Sequence, residues 1–389
     1  WHQTRHPSGR RLFDVAHRRM HMDPAVRFGC VAIGLLLAAC APQYYGVSPG
    51  LLRAEVQTSG RTQRTADGWQ VTWPAVAWRT AFSGTSIGVD SQDLAGYHVE
   101  IDGQVQVPVP ATPTRRTTWY RGLAPGPHAI ELIRMGATPR AAESLYGFAL
   151  DTDGRWLRMH APPARQLLVL GDSLATAYGD LSTSVDCPDN VLPLTDASQS
   201  YAVLAARSLH ADWQLNAMDG IGLVRNWRGI WRGTNYGTYA ARTLQSDPAS
   251  LYADAHWHPQ VALLAIGSND LATPPGSDEP WTDASLRVLF NAAYRELLTG
   301  LRSSLGPEAL IIVETDPSSN NPSNEIFTAQ VEAQRAGGDR RIFVLPIPAL
   351  ERSGCNYHPS LADHRRLGVL LANFIREHGG FEGSVASAH

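Results

Sequence analysis

Four uninterrupted apolar runs constrain the second half of the chain: Leu167–Leu170, Val261–Ile266, Leu310–Val313 and Ile342–Leu345. A strand with one face in water alternates polar and apolar residues, whereas a strand that is apolar throughout has both faces covered. Between these runs the apolar residues recur at helical spacing, over Tyr201 to Leu209, Leu286 to Leu305 and Ile326 to Arg335, and again from Asp363 to His378. A weaker run, Leu215 to Met218, reads as a further strand. Strands alternating with helices predict an α/β unit over 164–389, with a parallel sheet between two helical layers. In such sheets chemistry sits at the carboxyl ends of the strands.

Upstream the pattern changes. Short β-branched and aromatic runs are broken by turns: Gln70 to Trp73, Val76 to Phe82, Tyr97 to Ile101, Gln104 to Val109, Thr117 to Arg121 and His128 to Met135. Asp102-Gly103 between two of them is a strong hairpin signal. Closely spaced strands without helical period predict an all-β sandwich over 66–160, ended by Ala161-Pro162-Pro163. Residues 41–65, with Pro42, Pro49 and Gly50, read as a tether.

The first 40 residues read as an address. Met22 and Arg27 precede an apolar stretch from Phe28 to Ala39, shorter than the roughly 20 residues a membrane span needs. It reads as a signal peptide. Its end, Leu37-Ala38-Ala39-Cys40, resembles the bacterial lipobox, so Cys40 is the expected lipidation site and Ala41 after it favours the outer membrane. Residues 1 to about 21 are basic and unpatterned and are expected to carry no function.

Composition excludes several classes. Hydrophobic residues make up 43% and charged residues 18%, which describes a globular chain. The net charge of -3 argues against a nucleic-acid partner. All 33 basic residues are arginine, so neither a Walker-type phosphate loop nor a lysine nucleophile can occur. His256 and His258 mimic a metal pair but lack a third ligand; no metal and no cofactor is expected.

The chemistry is concentrated in four segments. Gly171-Asp172-Ser173-Leu174 follows the first apolar run, where a strand-to-helix turn would lift a serine out of the sheet and a helix N-terminus would favour negative charge. Asp219-Gly220-Ile221-Gly222 follows the second strand and offers a backbone N–H. Gly267-Ser268-Asn269-Asp270 follows the third run and offers a side-chain amide. Cys355-Asn356-Tyr357-His358-Pro359 precedes the last helix and brings an imidazole. A hydroxyl is a poor nucleophile until a base takes its proton, and the oxyanion of acyl transfer needs fixed donors.

Taken together the set resembles the SGNH (GDSL-type) hydrolases, with Ser173, Gly220, Asn269 and His358 at the four name positions. Gly220-Ile221-Gly222-Leu223-Val224-Arg225-Asn226, the Gly354-Cys355-x-Tyr357-His358-Pro359 pattern, Trp73-Pro74 and Phe82-Ser83-Gly84-Thr85-Ser86 are similar to the family-2 carbohydrate esterases. That resemblance implies a jelly-roll-like sandwich followed by a three-layer SGNH domain, and removal of acetyl groups from xylan or a related polysaccharide. It also implies Ser173 and His358 as catalytic pair, and an oxyanion hole from the N–H groups of Ser173 and Gly220 and the amide of Asn269. Two rivals remain: an esterase for lipid, aryl or thioester substrates, and a non-catalytic carbohydrate-binding lipoprotein.

One departure matters. The superfamily carries Asp three residues before the histidine and family 2 usually two before; here these are Cys355 and Asn356. Either the Asn356 side-chain oxygen or a backbone carbonyl must then accept the imidazole N–H. Asp363 and His364 are expected to begin the last helix, as caps. Trp227, Trp231 and Trp281 are candidates for stacking on a sugar ring, with packing as the competing use. Cys187 and Cys355 would meet if Ser173 and His358 do, closing a loop of roughly 170 residues worth about 4–5 kcal/mol in the chain-entropy model. The alternative is two free thiols.

Overall fold

The computed structural model describes residues 45–51 and 54–382. Phe28 to Ala39, Cys30 and Cys40 lie outside the described residues. The first lobe consists of β1 (Tyr45–Leu51), β2 (Gln57–Ser59), β3 (Gln63–Arg64), β4 (Trp69–Val71), β5 (Ala77–Asp93), β6 (Tyr97–Ile101), β7 (Gln104–Val105), β8 (Thr112–Arg134), β9 (Glu143–Leu150) and β10 (Arg155–Met159). They form one ten-stranded antiparallel sheet of central order β3-β4-β9-β5-β8-β6-β7, with β2 and β10 on β5 and β1 on β10. The long strands β5 and β8 pair along their lengths, with register shifts at Gly84/Ser86 and Ser91/Asp93. Such irregularities bend a sheet. The bent sheet wraps one core containing Trp73, Trp78, Phe82, Tyr97, Ile130 and Leu132, all buried. Asp102 and Gly103 make the tight turn between β6 and β7, with φ of 53° and 74°.

The stretch expected as a tether, 41–65, is instead partly sheet: β1 pairs with β10, β2 with β5 and β3 with β4. Strands of two or three residues have no period to read, and they exist because a partner edge supplies their hydrogen bonds.

The second lobe alternates β11 (Arg165–Gly171), α1 (Tyr201–Ser208), β12 (Ala211–Ala217), α2 (Tyr236–Tyr239), β13 (Val261–Ala265), α3 (Asp283–Leu305), β14 (Leu310–Thr315), α4 (Ser323–Ala336), β15 (Ile342–Pro346) and α5 (Leu361–Glu377). Its five strands are all parallel, in the order β12-β11-β13-β14-β15. The unbroken apolar runs serve both faces. Leu167 and Val169 pack in one cluster with Tyr201, Leu367 and Leu371 of α1 and α5. Leu168 and Leu170 pack in the other with Phe290, Tyr294 and Phe327 of α3 and α4. From β11 the chain passes to β12 on one side and later to β13 on the other, which opens a crevice at the carboxyl end of β11.

The lobes share a core. Ala75, Ala77 and Ile133 join the cluster of α1 and α5, and the Trp213 indole N–H donates to the Ala75 carbonyl at 2.9 Å. Both lobes fall in one compact unit.

Candidate active site

The crevice is where Ser173 stands. At the end of β11 a Cβ on Gly171 would lie 2.5 Å from that of Ala175 and 3.3 Å from that of Ala217, so only glycine lets the chain turn this tightly against its neighbours. Asp172 next to it is buried and braces the turn. One oxygen accepts the Leu174 N–H at 3.1 Å, and the other accepts the Ser268 hydroxyl at 2.6 Å and the Asn269 amide at 3.3 Å. Burial pushes its carboxyl up to about 6. Ser173 itself is half-exposed. The helix expected beyond it is replaced by a few turns: Thr176 N–H reaches the Asp172 carbonyl, and Ala177, at φ 61°, departs from helical geometry. Only short 3-10 turns at Leu192–Leu194 and Ala197–Gln199 intervene before α1, so no long helix N-terminus backs the serine. A helical period over three or four residues looks the same whether a helix or a turn follows.

His358 arrives from the loop after β15. Its Nε2 lies 2.8 Å from Ser173 Oγ, and its Nδ1 lies 2.9 Å from the Cys355 carbonyl oxygen. The expected alternatives for the orienting group thus separate. The Asn356 side chain is exposed and donates to the Tyr178 hydroxyl at 3.3 Å, so it does not face the imidazole. The backbone carbonyl does. Positive φ at Asn356 and Tyr357, 51° and 61°, curls the turn back so that residue 355 presents its oxygen to residue 358. Burial lowers the His358 pKa below its ordinary 6.5, with the Cys355 carbonyl opposing and Arg352 reinforcing the shift. Tyr178 covers the imidazole, ring centroids 4.7 Å apart. Cys187 and Cys355 are joined in a disulfide, Cα atoms 5.5 Å apart.

Gly220 follows β12 with φ 70°, a conformation that suits glycine. Asn269 is buried, its amide donating to the Ile221 carbonyl at 2.8 Å besides the contact with Asp172. Behind them Asp270 is fully buried and accepts three backbone N–H groups, from Leu223 at 2.9 Å, Val224 at 2.6 Å and Arg225 at 3.0 Å. Asn226 accepts from the Gly222 N–H and donates to the carbonyls of Ile230, Trp231 and Thr234. These anchors hold a loop that presents Trp227 and Trp231, 40% and 37% exposed, to a cavity of about 940 Å³. Ser173, Gly220, Asn269 and His358 line the same cavity. Trp281 does not line it.

Several residues that shape the site carry no sequence signal. Tyr178 is one. Glu314, at the end of β14, is another: it lines the cavity, accepts the Tyr201 hydroxyl and is pushed up to about 8 by burial. Asp363 is a third. As expected it forms a capping box with Ser360, but its carboxylate also accepts the N–H groups of Glu351 and Arg352, both at 3.1 Å. Only the fold brings residues 351 and 363 together.

Comparison with known proteins agrees with this architecture. Residues 58–162 match the family model for the N-terminal region of carbohydrate esterase 2. An acetylxylan esterase / glucomannan deacetylase of Cellvibrio japonicus is 30% identical over 314 residues, covering 79% of this chain and 85% of that protein. A solved carbohydrate esterase, described as having an active site with divergent catalytic and non-catalytic binding functions, superposes with a TM-score of 0.75 at 27% identity, over 85% of this chain and 98% of that one. A family-two carbohydrate esterase from Clostridium thermocellum, solved with cellohexaose, shares the fold with a TM-score of 0.75 at 24% identity, over 84% and 99% of the two chains. The pairing of an antiparallel lobe with an SGNH-type α/β lobe therefore comes with family membership: this chain belongs to carbohydrate esterase family 2 and is a carboxylic ester hydrolase.

Proposed function

We propose that the enzyme removes O-acetyl groups from polysaccharide by two-step acyl transfer. Ser173 Oγ attacks the acetyl carbonyl while His358 Nε2 takes its proton. The imidazolium then returns that proton to the departing sugar oxygen, leaving an acetyl-enzyme, and a water activated by the same nitrogen releases acetate. The observation that carries this reading is the run of contacts from Ser173 through His358 to the Cys355 carbonyl. It supplies a nucleophile, a base and an acceptor that selects the tautomer with Nε2 free. A neutral carbonyl cannot offset the imidazolium charge as a carboxylate does, so the pair acts as a dyad. The N–H groups of Ser173 and Gly220 and the Asn269 amide are the donors for the oxyanion. The amide can shift its longer bond from Asp172 to the developing charge, and losing one such donor costs about 100- to 1,000-fold in rate.

A glycan suits the cavity. Its wall carries two exposed indoles, Trp227 and Trp231, among Asn190, Asn321 and Asn324, an arrangement for sugar faces and hydroxyls. The test is acetate release from acetylated xylan, mannan and xyloglucan, by wild type and by Ser173→Ala. Substantial acetate from the alanine variant, or none from wild type on any of the three while aryl acetate is cleaved, ends the proposal. Localisation belongs to the same reading: Leu37-Ala38-Ala39-Cys40 supports export and lipid anchoring at Cys40, most simply to the outer membrane. Loss of membrane association in Cys40→Ser is the expected result.

A further inference from the structure

The loop that carries His358 is fastened to the loop that follows Ser173. The Cys355 N–H donates to the Gly179 carbonyl at 3.2 Å and the Asn356 N–H to that of Val185 at 2.8 Å. Between these two bonds lies the disulfide to Cys187. Gly179, at φ 65°, leaves no room for a side chain: a Cβ there would sit 2.2 Å from Cys355 Cβ and 2.7 Å from its sulfur. Cys355 is itself fully buried. Within the turn its carbonyl accepts two bonds, from the His358 N–H at 3.0 Å and from the imidazole at 2.9 Å. The residue that orients the catalytic base is therefore the one that the disulfide holds.

We infer that the Cys187–Cys355 disulfide is a positioning element for His358, doing through a fixed backbone carbonyl what a triad carboxylate does through its charge. The inference rests on the esterase reading and adds to it a dependence on the redox state of the bond. The carbonyl's aim depends on a turn with two residues at positive φ, and such a turn persists only where its surroundings over-determine it. Hydrogen bonds to Gly179 and Val185 hold one side of the turn, and the Asp363 carboxylate holds its approach through Glu351 and Arg352 and its exit through the Ser360 N–H at 3.0 Å. The disulfide is the one covalent tie among them. Reduction by a dithiol breaks the S–S bond, places two electrons and two protons on the two cysteine sulfurs, and leaves the reagent as its own cyclic disulfide. It frees Cys355 to drift from Gly179, and the carbonyl turns with it.

The test is steady-state hydrolysis of aryl acetate by the full chain, oxidised, reduced with dithiothreitol and re-oxidised, with thiols counted by alkylation and mass spectrometry. Cys187→Ser, which leaves Cys355 in place, is measured in parallel, and circular dichroism at 10 °C reports the fold of each form. In the folded, disulfide-free protein we expect kcat to fall about 100-fold, the scale of a misplacement of about 1 Å, with KM nearly unchanged. The acid limb of kcat/KM moves to lower pH, because an imidazolium without its acceptor gives up its proton more readily. Re-oxidation restores both in wild type. A folded, disulfide-free protein with unchanged kcat and acid limb overturns the inference, as does a change confined to KM. Unfolding of every disulfide-free form at 10 °C overturns it too, since the bond would then be a stability element. An oxidised wild type that hydrolyses no ester refutes the esterase reading instead.

Discussion

An imidazole that must take a proton at one nitrogen needs an acceptor at the other, and in this chain a peptide carbonyl supplies it. Because the Asn356 side chain points to Tyr178 instead, Asn356→Ala is expected to cost less than about tenfold in kcat/KM on aryl acetate. His358→Ala should lose activity by the orders of magnitude that follow removal of a dyad member. A loss from Asn356→Ala on the scale of His358→Ala would return the orienting role to the amide. The same residue sets the pH dependence. Burial lowers the His358 pKa, so the neutral, base-competent form persists below the ordinary value of 6.5. The acid limb of kcat/KM should have its midpoint under 6.5; a midpoint above it would mean that some unrecognised negative charge faces the ring. Ser173, Asn269 and His358 could be picked as candidates because the proposed hydrolysis demands those residue types at the end of a strand or in the closing loop, and the fold brings all three to one cavity. The carbonyl was left as one of two options because a backbone oxygen has no letter in the sequence, and its aim depends on φ angles at Asn356 and Tyr357.

The loop between β12 and α2 is built around its polar anchors more than around its indoles. Asp270 gathers three N–H groups and Arg225 reaches Glu279 at 2.6 and 2.9 Å, so the segment displaying Trp227 and Trp231 is fixed from behind. Asp270→Ala leaves those donors buried and unpaired and should destabilise the fold by about 2–4 kcal/mol, read from denaturant midpoints. Trp231→Ala should leave aryl acetate hydrolysis nearly intact and raise KM for acetylated polysaccharide about tenfold, the scale of about 1.4 kcal/mol for a lost stacking contact. Equal effects on both substrates would remove the indole from glycan recognition. The longer helices were legible at this scale, since α1, α3, α4 and α5 all fall where the apolar period placed them. The long strands were legible only in part: β5 continues well past the run Val76 to Phe82, β8 joins two runs that stand apart in the sequence, and β9 falls outside every run. The strands of 45–64 were not legible, because their order comes from a distant sheet edge.

Across the whole molecule the two lobes are joined by polar pairs as well as by a shared core. His98 of β6 stands 3.4 Å from Asp196 of the second lobe and 3.3 Å from Glu100, which in turn binds Arg207 of α1. Burial opposes the charge on His98, but the two carboxylates outweigh it and raise its pKa to about 9. A group raised on folding adds stability that is complete below its unfolded pKa of about 6.5 and is lost as pH rises through about 9. The stabilisation is on the order of 2–3 kcal/mol at neutral pH. Asp180 and Glu314, pushed up to about 8 by burial, titrate over the same interval, so the comparison must be made against His98→Gln. Wild type should lose more stability than the variant between pH 7 and 9.5 in thermal melts; parallel losses would show that His98 does not lock the lobes. Sequence by itself determined the two lobes, the parallel sheet and the candidates for nucleophile and base, because covered faces impose unbroken apolar runs and acyl chemistry imposes residue types. Tertiary structure alone decided which oxygen orients the histidine, that Cys187 and Cys355 meet, and that Asp363 and Asp270 serve distant backbone. The disulfide spans 168 residues and Asp270 binds N–H groups 45 to 47 residues before it, separations that no local pattern bridges. The Cys355 carbonyl is only three residues from His358, but its aim is set by backbone φ angles that residue types do not encode.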